Sequence, residues 1–215
     1  MMPRTLEPEL LDSLPPDHPD ALHNRRDLRL VNQLMGNHRW LACTLPPRLH
    51  PGETALELGA GTGELGLRLI AAGVPVDGLD LWPRPTPWPA GRNWHAANLL
   101  TFPGYAGYAA VIGNLIFHQF SAAELAAVGA VIRRHARIIL AREPARSRLS
   151  QYIYRGLAPL FGANHVSRHD GYVSIAAGFI GDELPRALGL NPAEWDCECV
   201  ITTRYAYQMI AIRRA

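Results

Sequence analysis

The chain has 215 residues, the length of one domain able to bury a sizeable core. Its 48% apolar and 19% charged residues are ordinary for a soluble globule, and no run of about 18 apolar residues marks a membrane span. The formal charge of +2 is spread along the chain and all 21 basic residues are arginine, which excludes Schiff-base and lysine general-base chemistry; with no basic tract interleaved with aromatics, no nucleic-acid partner is expected.

The opening stretch, MMPRTLEPELLDSLPPDHPD, is acidic and proline-rich and lacks the basic-then-apolar layout of a signal peptide. Residues 1–18 read as an irregular lead-in. The helical spacing of Leu28, Val31, Leu34, Met35, Trp40 and Leu41 predicts helix from residue 19 to 45, with Gly36 dividing it and Pro46 and Pro47 ending it. A short strand at 54–58 runs into a glycine turn, a helix spans 62–72, and a second strand, 74–81, closes on Asp80. The following segment carries Pro83, Pro85, Pro87 and Pro89 at alternate positions and excludes regular helix.

Strands are expected at 92–97, 108–114 and 136–142. Between the last two lies a helix over 121–134, opened by Ser121 with Glu124 three residues on, a capping-box pattern. Strands alternating with helices argue a parallel α/β sheet. A helix over 147–161, a glycine- and histidine-bearing loop insertion over 162–180 and a short helix over 181–188 follow. Two strands, 195–202 and 205–213, then form an antiparallel pair about a turn at Thr203 and Arg204. Cys43, Cys197 and Cys199 form no framework; an odd count without a signal peptide predicts free thiols in a reducing cytoplasm.

Residues 56–66, LELGAGTGELG, carry the chemistry. Glycines at this spacing let the backbone approach a ligand. Gly61, Gly63 and Gly66 also satisfy the G-x-G-x-x-G pattern of nicotinamide-dinucleotide sites, in which a helix N-terminus receives a diphosphate. Here Glu57 precedes the first glycine and Glu64 lies in the first helical turn, and two acids repel a diphosphate. A cationic nucleoside has the complementary charge: Glu57 faces its ammonium, and Asp80 accepts from its ribose hydroxyls with Leu81 and Trp82 beside the adenine.

These residues, together with H-A-A-N-L-L (95–100) and V-I-G-N-L-I-F-H-Q-F (111–120), resemble class I S-adenosylmethionine-dependent methyltransferases of the small-molecule branch. The resemblance covers about residues 50–145. P-E-L-L-D near the N-terminus and L-M-G-N-H-R-W before the first strand are similar to small bacterial methyltransferases, some linked to polyketide-type metabolites. It implies an α/β Rossmann-like, seven-stranded, mostly parallel sheet with the last strand antiparallel and helices on both faces. Within a single domain, 1–215, it implies a helical cap (1–49), a cofactor-binding core (50–145), a lid (146–190) and a C-terminal strand pair (191–215). It places Glu57, Gly59, Ala60, Gly61, Gly63, Asp80, Leu81, Trp82, Asn98, Leu99 and Asn114 on the cofactor, with Arg39 either on the methionine carboxylate or in a surface ion pair. The chain departs from the family at Asn98, where an acid usually binds the adenine amino group, and at Tyr108, where the fourth strand often begins with aspartate.

The resemblance implies methyl transfer to oxygen of a small, aromatic or polyketide-like metabolite. In-line transfer from a sulfonium is chiefly a matter of alignment, and a hydroxyl acceptor gains from a nearby base. His118, just past the fourth strand, is either that base or a residue that caps the following helix or packs against the cofactor-side wall. His165, His169 and Asp170 in the lid are candidates for a base or for polar contacts with the acceptor; no acid-rich metal site accompanies them, so no metal is expected. Tyr152, Tyr154, Phe161 and Tyr172 either pack the core and lid or line an aromatic pocket. Two rivals remain: an RNA or protein methyltransferase, and a catalytically silent module that binds the cofactor or a partner protein.

Overall fold

In the computed structural model, which describes residues 2–15 and 17–214, the strands are β1 (Ala55–Leu58), β2 (Val76–Asp80), β3 (Trp94–Ala96), β4 (Ala110–Asn114), β5 (Ile138–Pro144), β6 (Trp195–Ile201) and β7 (Ala206–Arg213). The helices are α1 (Pro19–Met35), α2 (Asn37–Thr44), α3 (Glu64–Ala71), α4 (Ala122–His135), α5 (Arg148–Leu157), α6 (His165–Ala177) and α7 (Glu183–Ala187). The strands form one sheet in the order β3-β2-β1-β4-β5-β7-β6. The first five are parallel, and β7 enters antiparallel to both β5 and β6. This is the Rossmann-like seven-stranded arrangement that the sequence implies.

The central strands are short, apolar and buried on both faces, as a parallel sheet covered by helices requires. Side chains alternate between two cores. Leu56, Leu58, Leu79, Val111 and Ile139 pack with Leu125, Val128 and Ile132 of α4 on one face. Ala55, Val76, Ala110, Ile112 and Ile138 pack with Leu41 of α2, Leu45 at its C-terminal cap, and Leu65 and Leu69 of α3 on the other. Glu57 falls in the second set by the same alternation, and so is forced beneath α3.

Local signals act where the sequence places them. Gly36 adopts φ 71° and separates α1 from α2. Ser121 and Glu124 form the reciprocal capping box of α4, a motif in which the cap residue alone contributes about 1 kcal/mol. The β6–β7 turn closes through Thr202 and Tyr205, with Tyr205 Nα donating to the Thr202 carbonyl at 3.0 Å. Cys197 and Cys199 share one face of β6 as free thiols, and Tyr207 donates to Cys199 Sγ at 3.0 Å.

The insertion expected as a loop over 162–180 is a correction. Residues His165–Ala177 are helix α6, opened by Asn164, whose side chain accepts from Ser167 Nα at 2.8 Å. Val166, Ser167, Asp170, Val173 and Ala177 recur at helical spacing on its buried face, and Gly171 sits there because a Cβ would collide with Tyr154. Among its described residues the lead-in has no long element, only a single 3-10 turn at Leu11–Ser13, yet it is tied down. Arg4 donates to the carbonyls of Ala177, His118 and Phe120, and Leu10 and Leu11 donate backbone N–H groups to Asp170. Of the segments expected at the two ends, Met1, Pro16 and Ala215 lie outside the described residues.

Candidate functional site

A cavity of about 1000 Å³ opens at the carboxyl ends of β1, β2 and β4, where open α/β sheets bind ligands. The N-terminal segment, α1, α5 and α6 complete its walls.

One half is built on the glycine turn. Glu57 is 3% exposed, and its Oε2 is buried without a hydrogen-bond partner. Burial pushes its carboxyl up to about 8, with the Gly66 N–H offsetting part of the effect and the Asp80 charge adding to it. Gly59 and Gly61 hold positive φ angles of 60° and 55°. A Cβ at Gly59 would strike Ile116, whereas Gly61 faces open space. Asp80 Oδ2 accepts from Gly61 Nα at 2.7 Å and Oδ1 from Trp82 Nα at 2.9 Å, so the second strand's acid braces the turn. Burial raises the Asp80 carboxyl, and these backbone donors and Arg25 offset it.

Trp82 is covered by the Arg25 guanidinium, 3.9 Å from its ring centroid. Ala60, Leu81, Asn98 and Leu99 complete this wall. Asn98 Oδ1 accepts from Leu100 Nα at 2.9 Å. Asn114 Nδ2 donates to Asn32 Oδ1 of α1 at 3.0 Å, while Asn114 Oδ1 is buried and unpartnered on the wall. Gly63 is the one turn glycine off the cavity: it is the left-handed N-cap of α3, and a Cβ there would press on Trp88 and Pro85. Gly66 likewise lies against Trp88, which is 3% exposed, so the proline-rich segment serves to cover α3. Tyr108, at the departure before β4, donates to Asp77 Oδ2 at 3.0 Å and lies 2.7 Å from His95 Nε2; it supports the sheet edge.

The other half is acidic. His118 is 3% exposed, with Nδ1 2.6 Å from Glu143 Oε2 and Nε2 3.3 Å from Glu9 Oε1. Burial alone lowers an imidazole, but the bonds to Glu143 and Glu9 outweigh it and push His118 up to about 9. It is therefore an imidazolium at neutral pH with both nitrogens engaged. Glu143 also accepts from the backbone N–H groups of Ile116, Phe117 and His118, and Glu9 from Ser174 Oγ at 2.5 Å. Asp12 faces the same cavity; burial, then Glu9 and Asp170, push its carboxyl up to about 6.

The structure thus brings Glu57, Gly59, Ala60, Gly61, Asp80, Leu81, Trp82, Asn98, Leu99, Asn114 and His118 to one cavity. Arg39 is exposed and off the wall, and its neighbour His38 lines it instead. His165 is exposed, and His169 lies 3.1 Å from Asp170 Oδ1 outside the cavity lining. Tyr154 and Phe161 line the cavity; Tyr152 and Tyr172 are exposed and off it. Glu9, Asp12 and Glu143 escape the sequence reading because no local pattern links an irregular lead-in to the end of β5. Among the described residues no three His, Cys, Asp or Glu side chains form a metal-holding group, and no helix is long and apolar enough to cross a membrane.

The residues present fit S-adenosylmethionine. Two buried acceptors, Glu57 Oε2 and Asn114 Oδ1, lack donors, and an ammonium supplies them. The cradle at Gly61 is open where a Cβ would stand.

No family model matches the sequence, and no curated protein matches it. Among solved structures, the plantazolicin methyltransferase BpumL, in complex with a triazolic desmethylPZN analog and SAH, superposes with a TM-score of 0.68 at 11% identity, over 95% of this chain and 93% of that one. Human N-acetylserotonin methyltransferase in complex with SAM gives 0.62 at 12%, over 95% and 61%. Magnesium protoporphyrin IX methyltransferase from Synechocystis with bound SAH gives 0.56 at 18%, over 88% and 86%. At these identities the likeness establishes the fold.

Proposed function

We propose that the protein is an enzyme that transfers a methyl group from S-adenosylmethionine to a small-molecule acceptor. The observation that carries this is the buried Glu57 carboxyl, whose Oε2 lacks a partner, set beside a glycine turn that is itself braced by Asp80. S-adenosylmethionine supplies an electrophilic methyl on a sulfonium, so that an S–CH3 bond breaks as the bond to the acceptor forms. The chain's own work is alignment. Glu57 and Asn114 hold the amino-acid end, Asp80 the ribose, and Ala60, Leu81, Trp82, Asn98 and Leu99 surround the base. Because the Asn98 oxygen already accepts from Leu100, its amide contributes less to the adenine than an acid would.

A cavity of about 1000 Å³ whose far half carries Glu9, Asp12 and Asp170 supports a small acceptor over the polyanion RNA. We assign oxygen as the receiving atom. A hydroxyl gives up its proton as it is methylated, and Asp12, whose carboxyl is raised to about 6, stands on the wall able to take it. His118 already carries a proton, so its role is to hold Glu9 in place. The free thiols suit a reducing cytoplasm, where we place the reaction. Incubation with methyl-labelled S-adenosylmethionine and a metabolite extract tests the reading: label in a small acceptor supports it, and label confined to RNA or protein, or no transfer at all, counts against it.

A further inference from the structure

The acceptor half of the cavity carries three carboxylates among apolar side chains such as Leu14, Ile153 and Leu157. Glu9 and Asp12 come from the N-terminal segment and Asp170 from α6, and all three face the cavity. They lie close enough that Glu9 and Asp170 both act on the Asp12 carboxyl. His118 is committed to Glu9 and Glu143, Arg29 to Glu64, and Arg204 donates to the Leu34 carbonyl. Asp12, an exposed residue on the cavity rim, has no hydrogen-bond partner among the described residues.

A separate observation points to a ligand here. Asn24 is 3% exposed, and its Nδ2 reaches Asp170 Oδ2 at 3.4 Å. That contact fixes the amide so that Oδ1 is the atom left over, and Oδ1 is buried with no partner. Ser150 of α5, 6% exposed, also presents a buried Oγ without a partner, and both residues line the same cavity. A buried acceptor without a donor carries a desolvation penalty of about 1–3 kcal/mol, which a ligand rich in N–H groups relieves. The cation is organic, since these carboxylates do not converge as a metal site among the described residues.

We propose that the acceptor carries an amine or guanidine, held as a cation by Asp12, Glu9 and Asp170 and donating to Asn24 Oδ1. This rests on the methyltransferase reading above and names the charge class of its substrate. An anionic or neutral acceptor leaves Asp12 uncompensated and the orphaned acceptor unmet.

The test is calorimetry on the full chain saturated with S-adenosylhomocysteine. The probes are 4-phenylbutylamine, 4-phenylbutan-1-ol and 4-phenylbutyrate, which share an aryl-alkyl body and differ in charge. The expected result is amine binding at least tenfold tighter than the alcohol, with no detectable binding of the carboxylate. Asp12→Asn is expected to weaken the amine at least fivefold and the alcohol less than twofold. Equal or weaker binding of the amine, including binding of none of the three, overturns the proposal, as does an amine affinity unmoved by Asp12→Asn. S-adenosylhomocysteine binding, read first in the same experiment, keeps the two readings apart. Its absence sinks the methyltransferase assignment, whereas its presence without amine preference sinks only this inference.

Discussion

His118 Nδ1 lies 2.6 Å from Glu143 Oε2 in a site where both side chains are almost fully buried. The pair joins the loop after β4 to the end of β5, and through Nε2 it also reaches Glu9 of the N-terminal segment. The histidine that the sequence offers as a base is thus the positive centre of an ion cluster that shapes the acceptor half.

That cluster has a pH signature. His118 is held at about 9, above its unfolded value of about 6.5. Between those values the folded state binds a proton that the unfolded state does not, so stability falls as pH rises. The contribution is full below about pH 6.5 and gone above about 9, and a shift of this size corresponds to roughly 3 kcal/mol. Denaturant midpoints from pH 6 to 9.5 should decline more steeply for the wild type than for His118→Gln. Parallel declines would show that the imidazolium is not held this way.

Glu57 gives a second pH dependence with a different consequence. Its folded value of about 8 lies above the ordinary 4.5, so the folded state again holds the extra proton, and its contribution to stability decreases from about pH 4.5 to 8. At pH 7 the cofactor-free carboxyl is neutral, and Glu57→Gln should leave the melting temperature unchanged or higher. Affinity for S-adenosylmethionine should nevertheless fall ten- to a hundredfold, since an amide cannot supply the charge that the ammonium draws out. Paired thermal melts and titrations check this; an unchanged affinity would remove Glu57 from the site.

The turn glycines should separate by role. Gly61→Ala adds a Cβ where nothing stands within 4 Å, at a cost of about 1–2 kcal/mol for the positive φ, and it should abolish cofactor binding while the fold persists. Gly66→Ala sets a Cβ 2.5 Å from Trp88 and 2.8 Å from Glu57 Oε2, so it should lose fold stability first. Circular dichroism melts with S-adenosylhomocysteine titrations distinguish the two outcomes.

These contrasts show what was legible in the chain. The strand order and one wall of the cavity follow from local features: apolar runs that fit only a covered parallel sheet, an acid ahead of alternating glycines, and a second acid at the next strand's tip. The capping box at Ser121 and Glu124 is equally local. Helix α6 is not legible in the sequence because Ser167 and Asp170 break the apolar run on its buried face, and the reason for Gly171, the approach of Tyr154, exists only in the folded chain. The acidic wall was hidden for the same cause. Glu9 meets His118 across 109 residues, and Asp170 meets Leu10 across 160, separations at which periodicity carries no information.

The central claim is the choice of a cationic nucleoside over a diphosphate. Isothermal calorimetry of the full chain with S-adenosylmethionine, S-adenosylhomocysteine and a nicotinamide dinucleotide tests it most directly. Saturable binding of the first two, with no heat from the third, is the predicted result. Binding of the dinucleotide alone would contradict it.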